Sequence, residues 1–343
     1  MSSSPGYPYT SQAPTNGEWL KWNGVEADPF QLDVLWHDTQ VVLSGQWDTV
    51  LKCFIKREPH KLSKVEEGRY RLIMASPLCV QMAWHMLFDF MNDLEIKEAY
   101  NIPCQQGIAM VGGGWKAYKK QWESIGTTHA LDKKAWDWTA PYWTILMDLE
   151  LRYRLGRGDH MNRWYVIAKI LYDQMFEHPK ILTSGGIMLR QVVPGIMKSG
   201  IVNTISTNGH CQCFIHAAVC LMLGLPFKPW PRCCGDDTLS HLLHCCDLGA
   251  YNRLGVKIKS VSDTMEFCGH EFRDSGPVPL YWLKHLKKLQ FVSDDVLPQY
   301  LDSMARMYVH TIHYDFWERI ARLLGCPLQL SKAAYLYWYD FEQ

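Results

Sequence analysis

The sequence predicts an α+β fold, and three stretches of the chain carry that prediction. Residues 76–100 and 141–180 are long runs without paired Pro or Gly residues, as is typical of helices. Residues 230–240, WPRCCGDDTLS, place Gly-Asp-Asp between two short segments that can pair as a hairpin. Residues 280–343 alternate amphipathic helical segments with short breaks, so we expect this end of the chain to be helical.

The remaining segments are assigned in the same way. Residues 1–30 are rich in Pro, Gly and Ser and are expected to be extended, and Val111–Tyr118, VGGGWKAY, is expected to be a loop. A loop rich in Gly, Ser and Thr at 195–210 leads into the apolar run Cys213–Leu225, which predicts a buried helix. Residues 247–261 predict a helix end, a turn and a strand. No stretch has the composition of a flexible linker, so the subdomains are expected to pack as one body.

The composition indicates a globular chain with a sizeable core. Of its 343 residues, 48% are hydrophobic and 20% charged, which argues against extensive disorder. Basic and acidic residues both number 35, so a polyanionic partner must be held by local basic patches. The longest apolar run is too short to span a bilayer, and residues 1–19 lack the regions of a signal peptide. We therefore expect a cytosolic protein whose 12 cysteines are mostly reduced.

Two groups of aspartates are candidates for metal binding. Asp236 and Asp237 are adjacent at a turn, where they either lie in water as ordinary turn residues or share a bridging cation. Asp132 and Asp137 are separated by four residues, a spacing that can aim one carboxylate at a metal and the other at a neighbouring pocket. A solvated helix start explains this second pair equally well.

Two further segments carry polar or basic side chains in a pattern that suits a nucleotide. Ser199, Gly200, Thr204 and Asn208 precede the apolar helix, where they can bond a sugar and bases or simply cap the helix. Lys56–Ile73 is a mixed charged run of the kind that usually forms a solvated face. It ends in Arg-Tyr-Arg-Leu-Ile, which predicts a strand with cations on one side.

The order of these motifs resembles that of the RNA-dependent RNA polymerases of positive-strand RNA viruses, and the resemblance is strongest to the sobemo-like group. It extends over residues 3–272 and includes SSPGYPY, FIKREPHKLSKVEEGRYRLI and DKKAWDWT. The resemblance implies a closed right-hand polymerase with an antiparallel palm sheet flanked by helices, helical fingers and a small helical thumb. The implied domains are fingers at 1–125, palm at 126–272 with an inserted fingers segment at about 155–195, and thumb at 273–343.

The resemblance also implies a reaction and its site residues. The reaction is template-directed transfer of a nucleotidyl group from a ribonucleoside triphosphate to an RNA 3′-hydroxyl, replicating a viral RNA genome by a two-metal mechanism. Asp132 and Asp236 would bind two Mg²⁺ ions, with Mn²⁺ as a substitute, and Asp237 would assist. Lys259 would be the general acid, with Lys257 as the alternative. The implied binding residues are Lys56, Lys64, Arg69 and Arg71 for phosphates; Asp137, Thr204 and Asn208, supported by Ser199 and Gly200, for the ribose; Phe267, Cys268 and Gly269 for the primer; and Ser4, Pro5 and Gly6 for template entry.

The implied partners are the RNA template, the nascent RNA and ribonucleoside triphosphates, with a genome-linked protein as a candidate primer and host cytoplasmic replication complexes as the location. Two features depart from the family pattern. Pro229, Pro231 and Arg232 require the first hairpin strand to be short or at a sheet edge. Lys133 and Lys134 place two cations beside the aspartates, either facing outward or touching the triphosphate.

Three other functions fit parts of the sequence. A zinc-binding interaction module could use His210, Cys211 and Cys213 with His241, His244, Cys245 and Cys246, although these lack paired Cys-x2-Cys spacing. A catalytically inactive polymerase-fold protein could serve as an RNA-binding scaffold. A reverse transcriptase shares the palm, but Gly235 before the two aspartates favours RNA copying.

Overall fold

The computed structural model describes residues 1–341, and within them fourteen α-helices and eleven β-strands form. The helices are α1 (Asn16–Trp19), α2 (Pro29–Leu43), α3 (Leu62–Glu66), α4 (Leu78–Lys97), α5 (Gly114–Ile125), α6 (Trp136–Thr139), α7 (Tyr142–Leu155), α8 (Met161–Tyr172), α9 (Thr204–Leu223), α10 (Leu248–Arg253), α11 (Trp282–Lys288), α12 (Leu297–Tyr308), α13 (His313–Leu323) and α14 (Lys332–Asp340). The strands are β1 (Val50–Ile55), β2 (Leu72–Ala75), β3 (His129–Lys133), β4 (Lys180–Thr183), β5 (Met188–Arg190), β6 (Arg232–Cys234), β7 (Asp237–Ser240), β8 (Ile258–Ser262), β9 (Glu266–Phe267), β10 (His270–Arg273) and β11 (Gly276–Pro279).

A four-stranded antiparallel sheet in the order β6-β7-β3-β8 organises the middle of the chain. The helix α9 packs on β6 and also contacts α7 and α10. Leu131 of β3 and Ile215 of α9 belong to the same cluster of buried apolar residues, which forms the largest core of the molecule. Helices packed against an antiparallel sheet are the arrangement that the predicted α+β class requires.

The hairpin of β6 and β7 has the predicted form. Gly235 occupies the turn with φ +64°, a left-handed conformation that glycine adopts without a steric penalty. The strand β6 is only three residues long and lies at the edge of its sheet. An edge position tolerates the prolines at 229 and 231, which cannot donate ladder hydrogen bonds. The expectation of a short or edge strand is therefore confirmed.

Two other sheets lie outside the central one. The order β2-β1-β4-β5 joins strands near residues 50–75 to strands near 180–190, and β1 and β4 are parallel. The order β11-β10-β9 is antiparallel, and its strand β11 follows residue 272, where the palm is predicted to end. The domain boundaries themselves stay a prediction.

Several local predictions are confirmed and others are wrong. The helices predicted in 76–100, 141–180 and 280–343 are present, and α9 contains most of the apolar run Cys213–Leu225. Residues 1–30 are not simply extended, because they include α1 and the start of α2, and α5 already begins at Gly114 in the stretch expected to be a loop. In the part of the chain that the structure describes, no helix is long and apolar enough to cross a membrane.

The predicted basic strand is also shorter than expected. The strand β2 begins at Leu72, so Arg69 and Arg71 lie before it. The backbone N–H of Lys56 donates to the carbonyl of Arg71 at 2.8 Å, which extends the pairing of β1 and β2 by one hydrogen bond. Between these two positions the chain forms the exposed helix α3 rather than a continuous strand.

Candidate active site

Three aspartates meet at one end of the central sheet. Asp132 is near the end of β3, Asp236 is in the turn after β6, and Asp237 begins β7. Because β3 and β7 pair with Leu131 opposite Thr238, the three residues lie on neighbouring strands at the same edge. All three are exposed to solvent. The chain therefore presents carboxylates from two distant segments at one accessible place.

Lys259 joins this group from the other side of β3. Asp132 lies opposite Ser260 in the pairing of β3 with β8, which places the neighbouring Lys259 within reach. The Lys259 ammonium donates to Oδ2 of Asp132, and this hydrogen bond raises the pKa of Lys259. Lys257, the alternative candidate, is exposed and precedes β8, and its carbonyl accepts from the backbone N–H of Lys134 at 2.8 Å. The ion pair with Asp132 distinguishes Lys259 from Lys257.

The two lysines that follow Asp132 lie in different environments. Lys133 is on the same face of β3 as the buried Leu131, and only 7% of it is exposed. Its ammonium donates to Oγ1 of Thr238 at 2.6 Å. Burial lowers the pKa of Lys133 to about 8, against the opposing attraction of nearby acidic groups. Lys133 thus lies beneath the aspartates, neither facing outward nor open to a triphosphate, whereas Lys134 is exposed.

The aspartates fit hard divalent cations by their chemistry. Desolvation by the surrounding protein raises the pKa of the Asp237 carboxyl to about 6, and the neighbouring charge of Asp236 adds to this effect. Crowded carboxylates of this kind are stabilised by a shared cation, and carboxylate oxygens are the ligands that Mg²⁺ prefers. In the described residues the three aspartates do not form a group whose ligand atoms all lie within 4.8 Å of one another, and the carboxylate of Asp132 accepts a hydrogen bond from Lys259. A cation would compete with Lys259 for Asp132.

Asp137 lies beside this edge on α6. Its Oδ2 accepts a hydrogen bond from Oγ of Ser199 at 2.7 Å, and its backbone carbonyl accepts from the N–H of Met197 at 2.7 Å. Burial raises the pKa of the half-buried Asp137 carboxyl. The loop that carries Ser199 and the exposed Gly200 is therefore fastened to the segment that follows Asp132.

Asn208 and Thr204 lie on α9 rather than in the preceding loop. Oδ1 of Asn208 accepts from Nε1 of Trp136 at 2.7 Å, and Asn208 is 4% exposed. The helix begins at Thr204 and its N-cap is Asn203, so the alternative that Asn208 caps the helix is wrong. Thr204 donates from Oγ1 to the carbonyl of Ile201 at 2.8 Å. Asn208 is instead a side chain of the second turn that ties α9 to α6.

The basic residues of 56–71 form surface ion pairs. Lys56 and Arg71 lie 3.4 Å and 3.3 Å from carboxylate oxygens of Glu58, and Arg69 lies 2.5 Å from Glu67. Partial burial opposes the effect, but the charges of Arg71 and Lys56 lower the pKa of Glu58. Lys64 is exposed on α3. Exposed pairs of this type contribute little to stability, so these cations can exchange their partners for phosphates.

The predicted primer and template residues occupy two other places. Phe267 is buried with its ring 5.2 Å from that of Trp122, and Cys268 and Gly269 form the turn between β9 and β10, both with positive φ. The N-terminal residues pack on the start of α4, where the carbonyl of Pro5 accepts from the N–H of Leu78 at 2.8 Å. A Cβ on Gly6 would lie 2.4 Å from the carbonyl oxygen of Ser76, so only glycine fits there. Oγ of Ser4 accepts a hydrogen bond from the backbone N–H of Gly6 at 3.3 Å.

Sequence reasoning missed a buried network of charges behind the site. Nδ1 of His210 lies 2.6 Å from Asp148, its Nε2 lies 2.7 Å from Glu95, and Nε of Arg152 donates to Asp148 at 3.1 Å. Burial opposes protonation, but the contacts with Asp148 and Glu95 raise the pKa of His210 to about 9. The negative charges of two carboxylates, one on α4 and one on α7, are thus balanced by the guanidinium on α7 and the imidazolium on α9. The spacing of Asp148 and Arg152, four residues apart on one helix, was the one signal in the sequence.

The predicted zinc groups do not assemble. His210 belongs to the network with Glu95 and Asp148, while the buried thiol of Cys213 contacts Cys104 and Cys233. His241 accepts from the backbone N–H of Leu243 through Nδ1 at 3.1 Å. Of the seven residues predicted, only His244 belongs to a group of possible metal ligands in the described part of the chain, and it does so with two residues outside the prediction, His216 and Cys220.

The antiparallel sheet, its aspartate-bearing hairpin and the surrounding helices define a protein of the polymerase palm class. A solved structure with this fold is the Sicinivirus 3Dpol RNA dependent RNA polymerase, which superposes with a TM-score of 0.76 at 16% identity over 99% of this chain and 76% of that one. The similarity at this identity establishes the fold, and the predicted fold class is confirmed.

The chain belongs to the viral RNA-dependent RNA polymerase family, whose model matches residues 1–236. It is 30% identical over 316 residues to the replicase polyprotein P2AB of Southern bean mosaic virus, covering 83% of this chain and 31% of that protein. It is 31% identical over 266 residues to protein P1-P2 of Potato leafroll virus, covering 73% of this chain and 24% of that protein. The chain thus spans about a third or less of these relatives. The predicted family, near the sobemo-like group, is confirmed.

Proposed function

We propose that this chain catalyses template-directed RNA synthesis, transferring a nucleotidyl group from a ribonucleoside triphosphate to an RNA 3′-hydroxyl in the replication of a viral RNA genome. The observation that carries the proposal is the meeting of Asp132, Asp236 and Asp237 at one edge of β3 and β7 in a member of this family. The proposed substrates are an RNA template, nascent RNA and ribonucleoside triphosphates. A genome-linked protein is the proposed primer, and replication complexes in the host cytoplasm are the proposed location.

Asp132 and Asp236 are the proposed ligands of two Mg²⁺ ions, for which Mn²⁺ can substitute, and Asp237 assists at the edge. When bound, the ions supply the activation of the 3′-hydroxyl and the neutralisation of the departing pyrophosphate. Lys133 keeps a positive charge beneath the carboxylates and limits their mutual repulsion. Lys259, protonated beside Asp132, is the proposed acid that delivers a proton to pyrophosphate.

The proposed binding groups surround this centre. Lys56, Arg69 and Arg71 exchange their surface partners for triphosphate oxygens, and the exposed Lys64 adds a fourth cation. The proposed contact to the ribose 2′-hydroxyl is made by Asp137 and Asn208. Ser199 and Gly200 support Asp137, and Thr204 accompanies Asn208 on α9. The hydrogen bonds from Ser199 to Asp137 and from Trp136 to Asn208, which joins α6 to α9, support this proposal. Phe267, Cys268 and Gly269 are assigned to the primer, and Ser4, Pro5 and Gly6 to template entry.

Primer extension by purified Asp236→Asn protein tests the proposal. The substitution removes one carboxylate charge without changing volume, so extension of a primed RNA template with Mg²⁺ should fall by at least about a hundredfold. The melting temperature should stay close to that of the wild type, because Asp236 is exposed. Asp263→Asn, an exposed aspartate in the loop between β8 and β9, is the matched control and should extend normally.

Two results would contradict the proposal. Near-normal extension by Asp236→Asn with Mg²⁺ would exclude the proposed ligand set. Wild-type protein that binds primed RNA but extends it with neither Mg²⁺ nor Mn²⁺ would favour the alternative of an inactive RNA-binding scaffold.

A further inference from the structure

A second group of metal-ligand residues comes together away from the aspartates. His216 and Cys220 lie one turn apart on α9, and His244 lies in the short 3₁₀ turn Leu242–Cys245 after β7. One ligand atom from each of the three lies within 4.8 Å of the other two. All three residues are buried, with 3% of His216 exposed and none of His244 or Cys220.

Both histidines have the hydrogen bonds that metal ligands usually have. Nε2 of His216 lies 2.8 Å from the carbonyl oxygen of Phe227, and Nε2 of His244 lies 2.9 Å from that of Pro226. Because a carbonyl oxygen only accepts, each Nε2 carries the ring proton and each neutral ring has a bare lone pair on Nδ1. Metal-binding histidines commonly donate their second N–H to a backbone carbonyl in this way.

Both Nδ1 atoms are buried and lack a hydrogen-bond partner in the described part of the chain. A buried polar atom without a partner is costly, so each of the two rings has an unused acceptor inside the protein. The nearest thiol is that of Cys220, whose Sγ lies 3.6 Å from the His216 ring at Nε2. Nitrogen and sulfur donors without nearby carboxylates favour zinc over magnesium or calcium.

We propose that His216, Cys220 and His244 bind one zinc ion, with a water molecule at the fourth position, and that this ion joins α9 to the segment after β7. Tetrahedral zinc with bonds of about 2.0 Å to nitrogen and 2.3 Å to sulfur separates its ligand atoms by about 3.3–3.6 Å. The ligand atoms lie within 4.8 Å of one another, and the side chains adjust to this geometry when the ion binds. Cys220 binds as the thiolate and releases its proton to water.

The ion would connect two elements that flank the candidate active site. The N-terminal half of α9 carries Asn208, and β7 begins with Asp237. The loop from 224 to 231 supplies the carbonyls of Pro226 and Phe227 and leads directly into β6. Zinc binding therefore fixes the far end of α9 and the base of the aspartate hairpin to one point.

Metal analysis of the full chain tests the proposal without measuring polymerase activity. Protein incubated with equimolar Zn²⁺ and dialysed should hold about one zinc per chain, and chelation should lower its melting temperature. Replacement of zinc by Co²⁺ should give the intense visible bands of tetrahedral cobalt together with a thiolate-to-cobalt charge-transfer band in the near ultraviolet.

Two cysteine variants identify the ligand. Cys220→Ser should lose the charge-transfer band and most of the zinc, whereas Cys245→Ser, next to His244 but outside the group, should keep both. Wild-type protein that retains less than about a tenth of an equivalent of zinc, or cobalt protein without the charge-transfer band, would overturn the proposal. Unchanged zinc in Cys220→Ser or loss of zinc in Cys245→Ser would overturn the ligand assignment. The wild-type cobalt spectrum decides the matter even if Cys220→Ser does not fold.

Discussion

Replacing His210 with glutamine tests the buried network of Glu95, Asp148, Arg152 and His210. In the wild type, two carboxylates face one guanidinium and one imidazolium, so the buried charges balance. Glutamine can donate to one carboxylate but carries no charge, which leaves one net negative charge buried. Removing one partner of a buried ion pair costs about 3–5 kcal/mol. Because glutamine keeps one hydrogen bond, we expect the free energy of unfolding to fall by about 3 kcal/mol near neutral pH.

The pH dependence provides a sharper signature of the same network. The pKa of His210 rises from its ordinary value of 6.5 to about 9 in the folded protein. A raised folded-state pKa means that the folded state binds the proton more tightly, so the stabilisation is fully present below about pH 6.5. It is lost progressively as the pH rises to about 9, and its size corresponds to about 3 kcal/mol. The stability difference between wild type and His210→Gln should therefore shrink over this interval.

Urea unfolding of both proteins at a series of pH values measures that difference. Other titrating groups occur in both proteins and cancel in the comparison. His85→Gln is the matched control, because His85 pairs with Asp89 at 2.8 Å on the surface of α4, where 46% of its side chain is exposed. Such a surface pair contributes less than about 1 kcal/mol. A difference for His210→Gln that stays constant from about pH 6.5 to 9 would show that His210 is not protonated in the fold and refute the reasoning.

Two other substitutions test the nucleotide contacts. Arg71→Ala should raise the nucleotide KM and lower kcat/KM by about tenfold. The melting temperature should barely change, because 53% of the Arg71 side chain is exposed and its ion pair with Glu58 is weak. A large fall in melting temperature with normal kinetics of the folded fraction would instead show that Arg71 has a structural role. Asn208→Asp keeps the acceptor for the Trp136 indole but loses its donor, so the ratio of kcat/KM for a ribonucleotide to that for its 2′-deoxy analogue should fall about tenfold. An unchanged ratio would remove Asn208 from sugar selection.

The sequence predicted those parts of the site that depend on local rules. Gly235 marks the hairpin turn because only a residue that tolerates positive φ fits there, and the prolines before it exclude a central strand. The order of the motifs then identified the family. Sequence patterns did not predict features that depend on how a strand pairs with a strand far away in the sequence. Lys259 is the extra residue where the pairing of β8 with β3 shifts register, and nothing in the residues around Asp132 signals that bulge.

Local sequence patterns also did not predict where helices and strands begin and end, or which helices contact each other. Arg69 and Arg71 alternate with apolar residues as a strand would, yet the ladder with β1 begins only at Leu72. Asn208 was expected in a loop because Ser, Thr, Asn and Gly are poor helix formers, but burial of α9 against α7 outweighs their weak preferences. The residues of the charge network are up to 115 positions apart, from Glu95 to His210, so only the fold brings them together.

The buried charges are better understood as setting the register of α9 than as a source of stability. An apolar core of similar volume is often as stable as a buried ion pair, so stability alone does not explain four buried charges. Apolar helix faces can slide past each other at modest cost, whereas His210 can satisfy Asp148 on α7 and Glu95 on α4 only at one position along α9. Asn208 is two residues before His210, and the proposed contact of Asn208 with the ribose requires its placement to within about 0.5 Å. A helix fixed by directional contacts at His210 meets that requirement, because any displacement of Asn208 along the helix axis would break the contacts of His210 with two charged partners at once.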